Sequence, residues 1–98
     1  MRLNAETKDK IIKYASQYFG PDIKLYLFGS RIYDHKKGGD IDLYLESLKE
    51  IDINHQVKFL NSIYKYATER KIDLIVKTPS SKDKPIYHTA KQEGILLC

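Results

Sequence analysis

The sequence predicts an α/β chain of the α+β kind: a small mixed β-sheet with helices packed on one face. Three observations carry that expectation. Two stretches space their apolar residues at helical intervals, three short runs are rich in β-prone residues, and Gly, Pro and Ser punctuate the joins. The resulting order of helix, strand, strand, helix, strand, helix suits a sheet of three strands or slightly more.

Asn4 is placed to N-cap the first helix, whose stripe of Ile11, Ile12, Ala15, Tyr18 and Phe19 ends at Gly20-Pro21. The first strand is Ile23-Lys24-Leu25-Tyr26-Leu27-Phe28, which stops abruptly at Gly29-Ser30. After a polar connection a second strand runs from about Asp40 to Leu45, and 47–50 is a linker. From Asp52 onward, Ile53, Val57, Leu60, Tyr64 and Ala67 trace a second helical stripe, and Ile72-Asp73-Leu74-Ile75-Val76 follows as a third strand. The polar, proline-punctuated stretch 78–85 reads as a loop, and a last short helix covers about Ile86 to Glu93 before Gly94.

With 98 residues the sequence predicts a single domain over 1–98. Its 42% hydrophobic and 31% charged residues suit a folded soluble chain rather than a disordered one. No apolar stretch approaches the roughly 20 residues that cross a bilayer, and the opening residues lack the apolar core of a signal peptide, so a cytoplasmic location without membrane attachment is expected. Cys98 is the only cysteine, which excludes an intramolecular disulfide and a Cys-rich zinc site. His35, His55 and His88 are scattered and read as surface polarity, leaving oxygen ligands for any metal. A net charge of +4 favours phosphate ligands in general, but the lysines are spread along the chain. The one dense run, His35-Lys36-Lys37, is short and reads as a solvated loop, so nucleic acid is not an expected partner.

The chemistry lies in the acids. Asp40 and Asp42 are two residues apart on a strand, so the pleat sends both carboxylates to one face and Ile41, Leu43 and Leu45 to the other. Asp73 repeats the arrangement between Ile72 and Leu74. If the two strands are neighbours, three carboxylates share a patch, where each close pair repels by roughly 1 kcal/mol in water and about 4 at an effective dielectric of 20. A divalent cation removes that repulsion, and carboxylates with phosphate oxygens and water are what Mg²⁺ and Mn²⁺ prefer. The bland alternative pairs each aspartate with a strand-edge lysine, Lys24, Lys71 or Lys77. Gly29, directly after a strand, lets backbone approach a ligand, and a turn over Ser30-Arg31-Ile32-Tyr33 would present N–H groups to phosphate, with the Ser30 hydroxyl as a further donor. The segment is neither a G-x-S-x-G elbow nor a Walker A loop. Tyr26 and Tyr44 share the faces of Phe28 and of Asp40 and Asp42, where they could stack on a base.

Leu27-Phe28-Gly29-Ser30-Arg31, then Gly38-Gly39-Asp40-Ile41-Asp42-Leu43, then a lone acid in a hydrophobic strand at Asp73: together these resemble the nucleotidyltransferase superfamily of DNA polymerase β, in particular its minimal nucleotidyltransferase branch. The resemblance extends over nearly the whole chain and implies the polymerase β-like palm fold. It implies that Gly29, Ser30 and Arg31 bind NTP phosphates. It also implies that Asp40, Asp42 and Asp73 are the catalytic and metal-binding residues for two Mg²⁺ ions, or Mn²⁺, with Asp73 either a base or only a ligand. The segment 32–37 is more basic than the family's usual connection and has no glycine after Arg31.

On this reading the chain is an adenylyltransferase-type enzyme that uses ATP. Minimal nucleotidyltransferases are commonly paired with small helical HEPN-type proteins, and some are antitoxins that transfer AMP to a tyrosine of that toxin. The resemblance therefore implies a HEPN-type partner and a hetero-oligomer. Two alternatives stay open: a catalytic subunit beside a helical substrate-binding protein that modifies a small molecule, and a non-catalytic antitoxin acting by occlusion.

Overall fold

The structure is a computed structural model that describes residues 3–29 and 40–98. Among these, three helices and four strands follow one another as α1 (Ala5–Phe19), β1 (Ile23–Phe28), β2 (Ile41–Ser47), α2 (Ile53–Tyr66), β3 (Ile72–Lys77), α3 (Pro85–Glu93) and β4 (Ile95–Leu96). Both long helices begin on acceptor side chains. Asn4 Oδ1 accepts from the Thr7 N–H at 2.8 Å, and Asp52 Oδ1 accepts from the His55 N–H at 2.9 Å, each satisfying a donor that has no partner inside the helix. Gly20 ends α1 with φ at 79°.

The strands form one mixed sheet in the order β3-β2-β1-β4. β1 runs antiparallel to β2 and to β4, whereas β2 and β3 are parallel and joined by α2. Alternation along these strands divides the side chains cleanly. Leu25, Leu27, Ile41, Leu43, Leu45 and Ile72 face α1 and α2, where Ile11, Ala15, Phe59 and Ile63 complete the main core. Nearly all of these are wholly removed from water. The contact of α1 with α2 is reinforced by Tyr18 and Ser62, whose hydroxyls lie 2.8 Å apart.

The expectation of helices on one face holds for α1 and α2 but not for α3. The opposite face carries Tyr26, Phe28, Tyr44 and Ile75 in its middle, and α3 covers them with Tyr87 and Ala90. The physical reason is burial: one face is filled by the long helices, and an aromatic row of this size on the other would otherwise stand in water. The acids of that face are therefore confined to its two ends, Asp42 and Asp73 at one and Glu46 at the other. Tyr44 is fully buried and lies between Tyr26 and Tyr87, with ring centroids 5.7 and 5.6 Å away. Tyr26 and Tyr44 are consequently part of the α3 contact and not available to stack on a base.

β4 was not foreseen, since two residues offer no periodicity to read. It adds to the free edge of β1, and the chain continues in register, with the Leu97 N–H donating to the Leu25 carbonyl at 2.7 Å and the Leu25 N–H to the Cys98 carbonyl at 2.9 Å. The main core tests the layer arrangement. Phe59→Ala should cost about 3–5 kcal/mol in urea unfolding, because it empties a fully buried site where α2 meets α1 and the sheet. The stripe expected through Ile53, Val57 and Tyr64 is instead exposed on α2, where Phe59 and Ile63 face the core, so Val57→Ala should stay within about 0.5 kcal/mol.

Candidate active site

The parallel ladder of β2 and β3 pairs Ile41 with Ile72, Asp42 with Asp73 and Leu43 with Leu74. Direct partners in a parallel pair lie about 4.8 Å apart and point the same way, so Asp42 and Asp73 stand side by side on the α3 face of the sheet. On the other side of Asp42 is Phe28, its antiparallel partner in β1. One row across the sheet therefore reads Phe28, Asp42, Asp73. Asp40 precedes Asp42 by two residues, and both it and Asp73 are close to half exposed, at 44% and 43%.

Gly29 follows Phe28 directly and closes the row. Its φ of 74° lies in the region glycine enters without penalty, and a Cβ built there would run into Oδ2 of Asp42. The backbone at the end of β1 thus packs directly on one of the three carboxylates. A short-range link between the glycine and the acids was not derivable from spacing alone, because it depends on the β1–β2 register. Ser30 and Arg31, expected to complete the phosphate grip, and the run His35-Lys36-Lys37 lie outside the described residues.

Lys71 adds a cation. Its Nζ is 3.6 Å from Asp73 Oδ1 and 3.9 Å from Asp40 Oδ2. Of the three lysines considered as strand-edge partners, this is the one the structure sets against the expected site. As they stand, no three acidic, imidazole or thiol groups among the described residues converge as a metal cluster, and the Lys71 ammonium stands between Asp40 and Asp73. The donor chemistry nonetheless fits a hard divalent ion, since the groups gathered at this end of the sheet are carboxylates. His55 and His88 instead contact Asp52 and Asp83 on the surface.

At the opposite end of the same face lies a polar group the sequence reading did not single out. The Tyr44 hydroxyl donates to Glu46 Oε2 at 2.9 Å and Lys91 Nζ donates to Oε1 at 3.2 Å, tying α3 to β2. Burial pushes the Tyr44 hydroxyl well above the ordinary tyrosine range, and the hydrogen bond to Glu46 adds to it. For Glu46, burial acts upward but is outweighed by the hydrogen bonds from Tyr44 and Lys91, so its carboxyl titrates below the usual range. The only advance sign was the i, i+2 spacing of Tyr44 and Glu46 on one strand.

The family model for polymerase β nucleotidyltransferases matches residues 9–98. The chain belongs to this family. Solved structures share the nucleotidyltransferase fold. A chain in the crystal structure of a mutant MntA–HpeT toxin–antitoxin complex superposes with a TM-score of 0.72 at 20% identity, over 93% of this chain and 71% of that one. A chain in the complex of tri-AMPylated Shewanella oneidensis HEPN toxin with MNT antitoxin gives 0.68 at 22% identity, over 94% and 69%. At these identities the likeness shows the fold. Among curated proteins, none has a sequence that matches. No helix among the described residues is long and apolar enough to cross a membrane.

Two outcomes check this geometry. Gly29→Ala should destabilise the chain by about 1–3 kcal/mol, from the positive φ and the displaced Asp42 carboxylate together, as read from denaturant midpoints. Because Glu46 has a folded pKa below its unfolded one, its contribution is complete above the ordinary glutamate range and disappears as pH falls through the lowered value. Glu46→Gln should therefore be less stable than wild type by about 1 kcal/mol at pH 7, and the gap should close below that range.

Proposed function

We propose that this nucleotidyltransferase transfers AMP from ATP to a hydroxyl, most directly a tyrosine on a small helical HEPN-type protein, and so acts as the antitoxin of a pair. The observation that carries the site assignment is the row Gly29, Asp42, Asp73: backbone suited to phosphate packs against one carboxylate, and a second carboxylate stands beside it on the next strand. The described fold of MNT antitoxin complexes, one holding an AMPylated HEPN toxin, supports the choice of partner and of AMP.

In this reading Asp40, Asp42 and Asp73 would hold divalent metal, Mg²⁺ or Mn²⁺, which supplies charge neutralisation at the phosphates and a more acidic acceptor hydroxyl. Gly29 brings backbone N–H groups close to the triphosphate without a side chain in the way, and Ser30 and Arg31 extend that grip. The absence of a Cβ also keeps Asp42 in place. The acceptor oxygen forms a bond to the α-phosphorus, the bond from that phosphorus to the β-phosphate oxygen breaks, and pyrophosphate leaves. The hydroxyl proton leaves as the new bond forms, to Asp73 if that carboxylate is the base and to water if it is only a ligand. The chain's contribution is position and electrostatics, which dominate phosphoryl and nucleotidyl transfer.

The test is label transfer from α-labelled ATP to the co-purified helical protein, read by intact mass. Wild type should add one or more AMP groups, while Asp42→Asn and Asp73→Asn should lose transfer by at least about a thousandfold with unchanged circular dichroism, since each removes a ligand charge from an exposed end of the sheet. Ser30→Ala should lose about ten- to a hundredfold, the worth of one hydrogen bond to a charged acceptor. Transfer to a small alcohol with the partner unmodified would replace the tyrosine reading by that of a substrate-binding subunit. Full inhibition of the partner by a variant with all three aspartates changed to asparagine would replace it by occlusion.

A further inference from the structure

Lys71 lies one residue before the β2–β3 ladder begins, where its carbonyl accepts from the Ile41 N–H at 2.9 Å. That bond sets the Lys71 backbone opposite Asp40. Being two residues from Asp73 along the chain, Lys71 also shares the face of Asp73. The backbone thus starts the side chain on the carboxylates' face, and its ammonium lies 3.6 and 3.9 Å from two of them. The side chain is 68% exposed, so a four-carbon stem is free to swing it into water.

We propose that Lys71 is an internal counter-cation of the carboxylate site: its ammonium holds Asp40 and Asp73 together when no divalent ion is bound and gives way when one arrives. This rests on the reading that these aspartates take a divalent ion. Two carboxylates that share a patch repel, and a lysine between them relieves the repulsion without needing a metal. The same lysine then opposes the ion twice over. Its own attraction to the aspartates must be given up, and a positive charge stays tethered near the incoming one. Lys71 in this role is a positioning residue that raises the ion concentration at which the site fills and keeps its ligands in register until then. It differs from an ordinary surface ion pair, which would leave ion affinity unchanged.

The experiment uses the full chain and Mn²⁺ alone, with free Mn²⁺ counted by electron paramagnetic resonance and melting followed with and without the ion. Lys71→Met, which keeps the stem and removes the charge, should bind Mn²⁺ about three- to tenfold more tightly than wild type, and the gap should shrink as added salt screens the ammonium. Lys71→Arg should remain within about twofold of wild type, since it restores the charge. Without metal, Lys71→Met should melt about two to four degrees below wild type, and saturating Mn²⁺ should abolish or reverse that order. Equal Mn²⁺ affinity in wild type and Lys71→Met overturns the counter-cation role and leaves the metal site standing. If no variant binds Mn²⁺, the metal reading itself fails, and this proposal with it.

Discussion

The parallel pairing of β2 with β3 is the constraint on which the site depends. Because side chains alternate with a period of two, the register that sets Ile41 level with Ile72 puts both apolar rows on the core face, which no odd-numbered slip would do. The same register sets Asp42 against Asp73. Hydrophobic burial of Leu43, Ile72 and their neighbours, each worth about 1.5–3 kcal/mol, thus holds two like charges in positions they would not take by themselves. A one-residue slip would bury the acids and expose the core, so the face the carboxylates take is as firmly specified as the core is.

The other face shows how the chain limits that acidic patch. α3 covers the aromatic middle and leaves the end beyond Phe28 uncovered by its own core residues. Tyr87 stacks on Tyr44, and the Lys91–Glu46–Tyr44 group ties the helix to β2 at the far end. The helix therefore separates a polar group that ties it to β2 from an acidic group that it leaves uncovered. Both ends pair acid with lysine, but Glu46 is the more buried and is hydrogen-bonded to Tyr44 and Lys91, whereas Asp40 and Asp73 are close to half exposed beside Lys71.

Much of this was legible in the sequence. Asn4, Gly20 and Asp52 marked the helix ends, and the alternation through 40–45 and 72–76 placed the acids on one face, with the third strand ending one residue later at Lys77 and the second running on to Ser47. Four features escaped. β4 is too short to have a period, and its pairing with β1 is a tertiary event. The side on which α3 packs depends on how much aromatic surface the face opposite α1 and α2 carries, which follows from strand order and not from the helix itself. Tyr26 and Tyr44 looked like candidate base-stacking groups because alternation tells which face a side chain takes but not what covers it. The contact of Gly29 with Asp42 was likewise hidden, since it joins two strands across a connection that spacing alone does not fold.

The central claim is that Asp42 and Asp73, joined only by strand register, form one ligand site together with Gly29. Calorimetric titration of ATP into the chain, with Mg²⁺ and then with excess EDTA, tests it most directly when wild type, Asp42→Asn and Asp73→Asn are compared. The account predicts ATP binding that requires Mg²⁺ in wild type and is lost in both variants alike, despite the 30 residues of sequence between them. Binding of equal strength in Mg²⁺ and EDTA, or binding that survives unchanged in either variant, would contradict it.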